Sequence, residues 1–107
     1  MQIRVNIRAR SLAAPRGFAA LGPLCLPCAL GRGGRRALKF EGDGATPIGL
    51  WPMREVLYRA DRVARPMTRL PVSPICPDDG WCDDPRDRNY NRPVRLPYPA
   101  SHELLWR

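Results

Sequence analysis

Thirteen prolines and nine glycines punctuate the 107 residues of this chain, and their spacing limits the elements it can build. Proline removes a backbone donor and fixes φ, while glycine in an element interior adds chain entropy that folding must overcome. Neither long helices nor long strands survive such punctuation. The expected fold class is therefore mainly β, with short strands, many turns and little helix. Hydrophobic residues make up 44% of the sequence, enough for a globular domain, and the length suits one domain with a modest core.

Along the chain, Gln2 to Arg8 alternates apolar and polar positions, with Ile3, Val5 and Ile7 on one face, which is strand period. Pro15-Arg16-Gly17 predicts a turn, and Phe18 to Leu30 a second strand pair in which Leu24, Leu26, Cys28 and Leu30 share a face. Gly31 to Gly34 predicts a loop. The segment from Glu41 to Gly49 is the most turn-dense of the chain, and Thr46, preceding Pro47, is biased to extended geometry. Leu50 to Ala60 predicts a strand, with a short helix over Met53 to Arg62 as the competing assignment. Pro66 to Pro77 predicts irregular chain, Asp78 to Asn91 an acidic turn region, and Val94 with Leu96 a short strand. Ser101 to Arg107 predicts the opening of a helix, with Ser101 as its N-cap.

The formal net charge is +8, and 17 of the 18 basic residues are arginine. A balance of this size favours anionic partners. Only Arg32, Arg35 and Arg36 cluster locally, however, and no nucleic-acid recognition motif accompanies them, so nucleic acid is not the expected partner. No apolar run is long enough to span a membrane. Ser11 to Leu30 makes a poor export signal because Pro15, Arg16, Pro23 and Pro27 break it, and synthesis without export is the plain expectation from these residues.

Cys25 and Cys28 have C-x2-C spacing, whereas five residues separate Cys76 from Cys82. Residues three apart on a strand point to opposite faces, so Cys25 and Cys28 are not expected to share a metal ion or a disulfide. No metal and no cofactor is expected, and small buried thiols are the predicted state, with Cys82 in a cleft. His102 is the only histidine, so any Cys–His pair must use it, with Cys82 as the better-placed partner. The nearby carboxylates of Asp78, Asp79, Asp83, Asp84 and Asp87 disfavour a thiolate at Cys82. Ser101-His102-Glu103 has the residue types of a triad, but neighbours on one helix do not converge. The acidic loop lacks the regular oxygen spacing of calcium loops; pairing with Arg86, Arg88 and Arg92 is expected instead.

Cys28-Ala29-Leu30-Gly31-Arg32-Gly33-Gly34, followed by Lys39 to Gly49 (KFEGDGATPIG), resembles the start of the YkuD-type L,D-transpeptidase domain. Asp78-Asp79-Gly80-Trp81-Cys82-Asp83-Asp84-Pro85, then Asn89-Tyr90-Asn91-Arg92-Pro93-Val94 and Ser101 to Arg107 (SHELLWR), are similar to the middle of the same domain. The resemblance runs from about Gln2 to Arg107, and the ordered combination of segments carries it.

This resemblance implies a β-sandwich-like domain of which residues 1–107 are a part. It also implies a cysteine that attacks a peptide stem of peptidoglycan to form an acyl-enzyme, resolved by an amine of another stem, and a location in the cell envelope or periplasm. The family's nucleophile lies in a motif close to S-x-G-C-[IV]-R, with a histidine base upstream. Neither element is matched among the 107 residues, which are expected to stop before that motif, and Cys82 matches a different segment. The chain is thus expected to be catalytically inactive by itself, with no catalytic residue, and prone to aggregate. Trp81, Tyr90, Asn91 and Arg92 are the expected substrate-cleft residues: a ring to wall the cleft, and polar groups to hold a stem and its carboxylate. Two alternatives stand beside this expectation, a non-catalytic peptidoglycan-binding module of the same fold and an Arg-rich nucleic-acid binder.

Overall fold

A computed structural model describes residues 2–107 and contains ten short strands and, among the described residues, no helix. The mainly β expectation holds, with six residues as the longest strand. No helix of the described residues is long and apolar enough to cross a membrane. Two compact units divide the chain, Met1–Leu50 and Trp51–Arg107.

In the first unit, β1 (Asn6–Arg8), β2 (Arg16–Leu21) and β3 (Leu24–Ala29) form an antiparallel meander. Leu21 pairs with Leu24, so Gly22 and Pro23 are the whole β2–β3 turn. Gly22 has φ 56°, the positive value that the first central position of such a turn demands, and the proline ring suits the second. Gly17 is needed for a different reason. A Cβ there would lie 2.2 Å from the Arg8 carbonyl oxygen, so only glycine lets the two strands approach. The expected turn at Pro15–Gly17 is corrected: Arg16 and Gly17 already belong to β2, because their ladder continues to Ala29 and Cys28. The strand expected from Gln2 shrinks to Asn6–Arg8, the part opposed by β2.

Gly31–Gly34 is a loop as expected, closed by a bridge between its end glycines. It leads into β4 (Arg35–Arg36), which pairs in parallel with β5 (Thr46–Pro47). The Arg35 amide donates to Leu12 O at 2.7 Å, the Thr46 amide to Gly34 O at 2.8 Å, and the Thr46 hydroxyl accepts from the Gly31 amide at 2.8 Å. Asp43 organises the turn-dense segment. Its carboxylate accepts from Lys39 Nζ at 2.6 Å and from the Phe40 and Ala45 amides, and these bonds, Lys39 foremost, hold its pKa well below the ordinary carboxylate value.

In the second unit, β6 (Val56–Tyr58) pairs in parallel with β7 (Val72–Pro74). Only this part of the expected Leu50–Ala60 strand forms, and the competing helix over Met53–Arg62 does not; β6 needs a partner ladder, and β7 supplies one only for three residues. Finding β7 inside Pro66–Pro77 corrects the irregular assignment there. β8 (Asp79–Cys82) is the centre of a sheet with β9 (Pro93–Arg95) and β10 (His102–Leu104) at its edges. It lies in the segment expected to consist of acidic turns. β10 replaces the expected helix at Ser101–Arg107: a helix of one or two turns is marginal in water, whereas β8 offers a ladder of cross-strand bonds.

Candidate functional site

Strand alternation sorts the β8 sheet into two faces. Gly80 and Cys82 are buried, as is Val94 opposite Gly80, while Asp79 and Trp81 turn the other way. His102 opposes Cys82 in register, so both side chains lie on the buried face. The other face carries an ion cluster in which Arg95 bonds to Asp78 at 2.9 Å and to Asp79 at 3.1 Å. Arg86 pairs with Asp84 as expected, but Arg95, which the sequence did not single out, holds the two leading aspartates.

The loop after β8 returns to its own start. The Asn91 amide donates to Cys82 O at 2.9 Å and the Cys82 amide to Arg92 O at 3.0 Å. Closing this ring of chain places Asn91 at φ 58°, a left-handed conformation that asparagine tolerates better than most residues. Trp81 Nε1 then donates to Asn91 Oδ1 at 3.1 Å. Two of the four expected cleft residues, Trp81 and Asn91, are thereby in direct contact. Tyr90 and Arg92 flank Asn91 along the chain, and both are exposed.

Beneath the loop lies a cluster that sequence patterning does not reveal. Asp87 Oδ2 accepts from Tyr98 Oη at 2.5 Å, from the Asn89 amide at 2.9 Å and from the Cys82 thiol at 3.6 Å. Asn89 Nδ2 donates to the same Tyr98 oxygen at 2.9 Å. The His102 ring meets Tyr98 edge-on, with centroids 6.3 Å apart, and its Nδ1 donates to Ala100 O at 2.7 Å. The only sequence signal was local: an aspartate two residues before an asparagine in a turn favours a side-chain bond to the backbone. Nothing in that spacing points to Tyr98.

The hydrogen bonds of this cluster favour a carboxylate at Asp87 and protonated groups around it. Tyr98, then the Asn89 amide, lower the Asp87 pKa. Asp87 in turn raises that of Tyr98, and burial first, with Asp87 also contributing, raises that of Cys82. Cys82 is wholly buried, at 0% exposure, in a strand rather than in the loop or cleft expected of it. A thiolate at this point would lose its solvation and face a carboxylate, and both disfavour ionisation of Cys82.

Other cysteines depart from expectation as well. Cys25 is exposed rather than buried, because it shares the open face of the meander with Phe18. β3 includes both Cys25 and Cys28, and alternation sends them to opposite faces. Among the described residues, no group of three His, Cys, Asp or Glu side chains is gathered for a metal ion. Farther along, Arg59 bonds to Asp61 at 2.7 Å and lies 3.7 Å over the Trp106 ring, while also donating to the Trp106 carbonyl.

No family model, no curated protein and no solved structure matches this chain.

Proposed function

We propose that the chain provides scaffold and part of the peptide-stem cleft of a YkuD-type L,D-transpeptidase, and that none of its own thiols performs acyl transfer. What supports this is the way two of the resembling segments, Asp78–Pro85 and Asn89–Val94, close on one another through the Trp81–Asn91 and Cys82–Asn91 bonds. In this proposal Trp81 walls the cleft, Asn91 is steadied by the indole, and Arg92 is available for a stem carboxylate. Cys82 belongs to the packing beneath the cleft. Its burial is the observation that carries the inactivity.

The test uses a carbapenem, which acylates the cysteine of this family. Intact mass after incubation is expected to show no adduct, and a stoichiometric adduct on any of the four cysteines, Cys82 above all, would overturn the assignment. Exposure of Tyr90, Asn91 and Arg92 favours a second proposal, a non-catalytic peptidoglycan-binding module. Sedimentation with insoluble peptidoglycan separates the two. The scaffold role predicts little specific retention; retention that Trp81→Ala abolishes would establish the binding module.

A further inference from the structure

All of the chain's net charge resides in its first forty residues. Seven arginines and Lys39 lie before Glu41, the first acidic residue, and from Glu41 onward ten arginines balance ten acids. The first unit, which includes Glu41 and Asp43, thus holds +6 of the +8, and the meander displays part of it on one face.

Register determines that face. Arg8 opposes Phe18, and Phe18 opposes Pro27, so the three lie in one row across the sheet; Arg16 and Ala29 form the next row on the same side. Together with Arg10 they line a groove of about 790 Å³. Phe18, which lines it, is 53% exposed. Among the described residues no carboxylate pairs with Arg8, Arg10 or Arg16. The remaining lining is alanine, glycine, proline and cysteine, without a hydroxyl or amide side chain.

We infer that this face docks on the surface of an anionic phospholipid bilayer, with headgroup phosphates on the arginines and Phe18 at the acyl boundary. Charge complementarity chooses the anion, and the lining chooses the kind. A nucleic acid would use several stacking rings and polar side chains to meet bases, whereas this groove has one ring and hydrocarbon walls. Arginine guanidinium forks suit phosphate oxygens, and an exposed ring between them suits the interfacial region. The inference uses none of the residues of the proposed cleft, so either can fail without the other.

Co-sedimentation of the full chain with vesicles tests it. Phosphatidylcholine containing about one third phosphatidylglycerol is expected to bind the chain, with affinity falling as salt rises, and pure phosphatidylcholine is not. Replacing Arg8, Arg10 and Arg16 together by Gln should weaken binding about a hundredfold. The same loss of charge from the second unit, by Arg65→Gln, Arg69→Gln and Arg88→Gln, should leave it within about twofold. Equal loss in both triple variants, equal binding to neutral vesicles, or pelleting without vesicles would overturn the inference. So would displacement from vesicles by a single-stranded oligonucleotide at lower concentration than by phosphatidylglycerol headgroup. A readout on the unaltered chain guards against misfolded variants. Cys25 is exposed and shares the Phe18 face through its pairing with Ala20. Its alkylation should slow severalfold on anionic vesicles, and an unchanged rate in the bound chain also overturns the docking.

Discussion

In the first unit the sheet β1–β2–β3 has two strands of six residues and a complete ladder between them, yet Phe18, Leu24 and Leu26 are each more than half exposed. In the second unit the sheet β10–β8–β9 has strands of only three and four residues, yet Cys82 is entirely buried and Val94 nearly so. Ladder length and burial are separate quantities. The meander is built from neighbours in sequence, so its hydrogen bonds form at small loop-closure cost, but nothing within that ladder covers its faces. The shorter sheet gathers β8, β9 and β10 from farther apart, and the intervening chain returns with Asp87, Asn89 and Tyr98 to cover one face.

If the meander depends on backbone approach, its weakest point is Gly17. Gly17→Ala is expected to force β1 from β2 and cost about 3 kcal/mol, comparable to severe overpacking. Urea denaturation followed by circular dichroism measures this, and a loss under about 1 kcal/mol would show that the ladder yields freely.

If the second sheet depends instead on its side-chain cluster, Asp87 is the point to attack. Asp87→Ala leaves the Tyr98 hydroxyl, the Asn89 amide and the Cys82 thiol without their acceptor, and a fall of several degrees in Tm is expected. The folded-state pKa of Asp87 is lowered, so its contribution is fully present above the unfolded value and is lost as pH falls through the folded one. The parent's Tm should therefore decline below about pH 4, and part of that decline should vanish in Asp87→Ala. A variant with the parent's acid profile would remove Asp87 from the account.

The smallest effect is expected where side chains are already in water. Leu24→Gln with Leu26→Gln should change stability by no more than about 0.5 kcal/mol while raising solubility. A larger loss would reveal that the apolar face of the meander is covered in solution, and would narrow the contrast between the two sheets.

Much of the local structure is legible in the residues. The strand pair over Phe18 to Leu30 follows from alternation at Leu24, Leu26 and Cys28, and the extended Thr46 follows from Pro47. The failures have a common cause. Ser101 to Arg107 has a helix cap and helix-compatible leucines, but a strand was available to pair with it. β8 lies in an acidic, turn-prone segment because β9 and β10 satisfy it on both edges. At the candidate site, the carboxylate of Asp87 was legible as a neighbour that disfavours a Cys82 thiolate, whereas the contact of Trp81 with Asn91 and the arrival of Tyr98 on Asp87 were not, since no local period connects residues ten or eleven apart.

What the sequence determined alone is the scale and kind of element, since prolines and glycines keep every strand among the described residues at six residues or fewer, and the separation of charge, since the first forty residues carry basic side chains without acids. Tertiary structure decided which thiol is accessible and which is not. Cys25 lies on the open face of the meander, and Cys82 lies between two strands under a carboxylate and a tyrosine. The reason is physical: local propensity acts within a few residues, while desolvation depends on which distant segments arrive to exclude water.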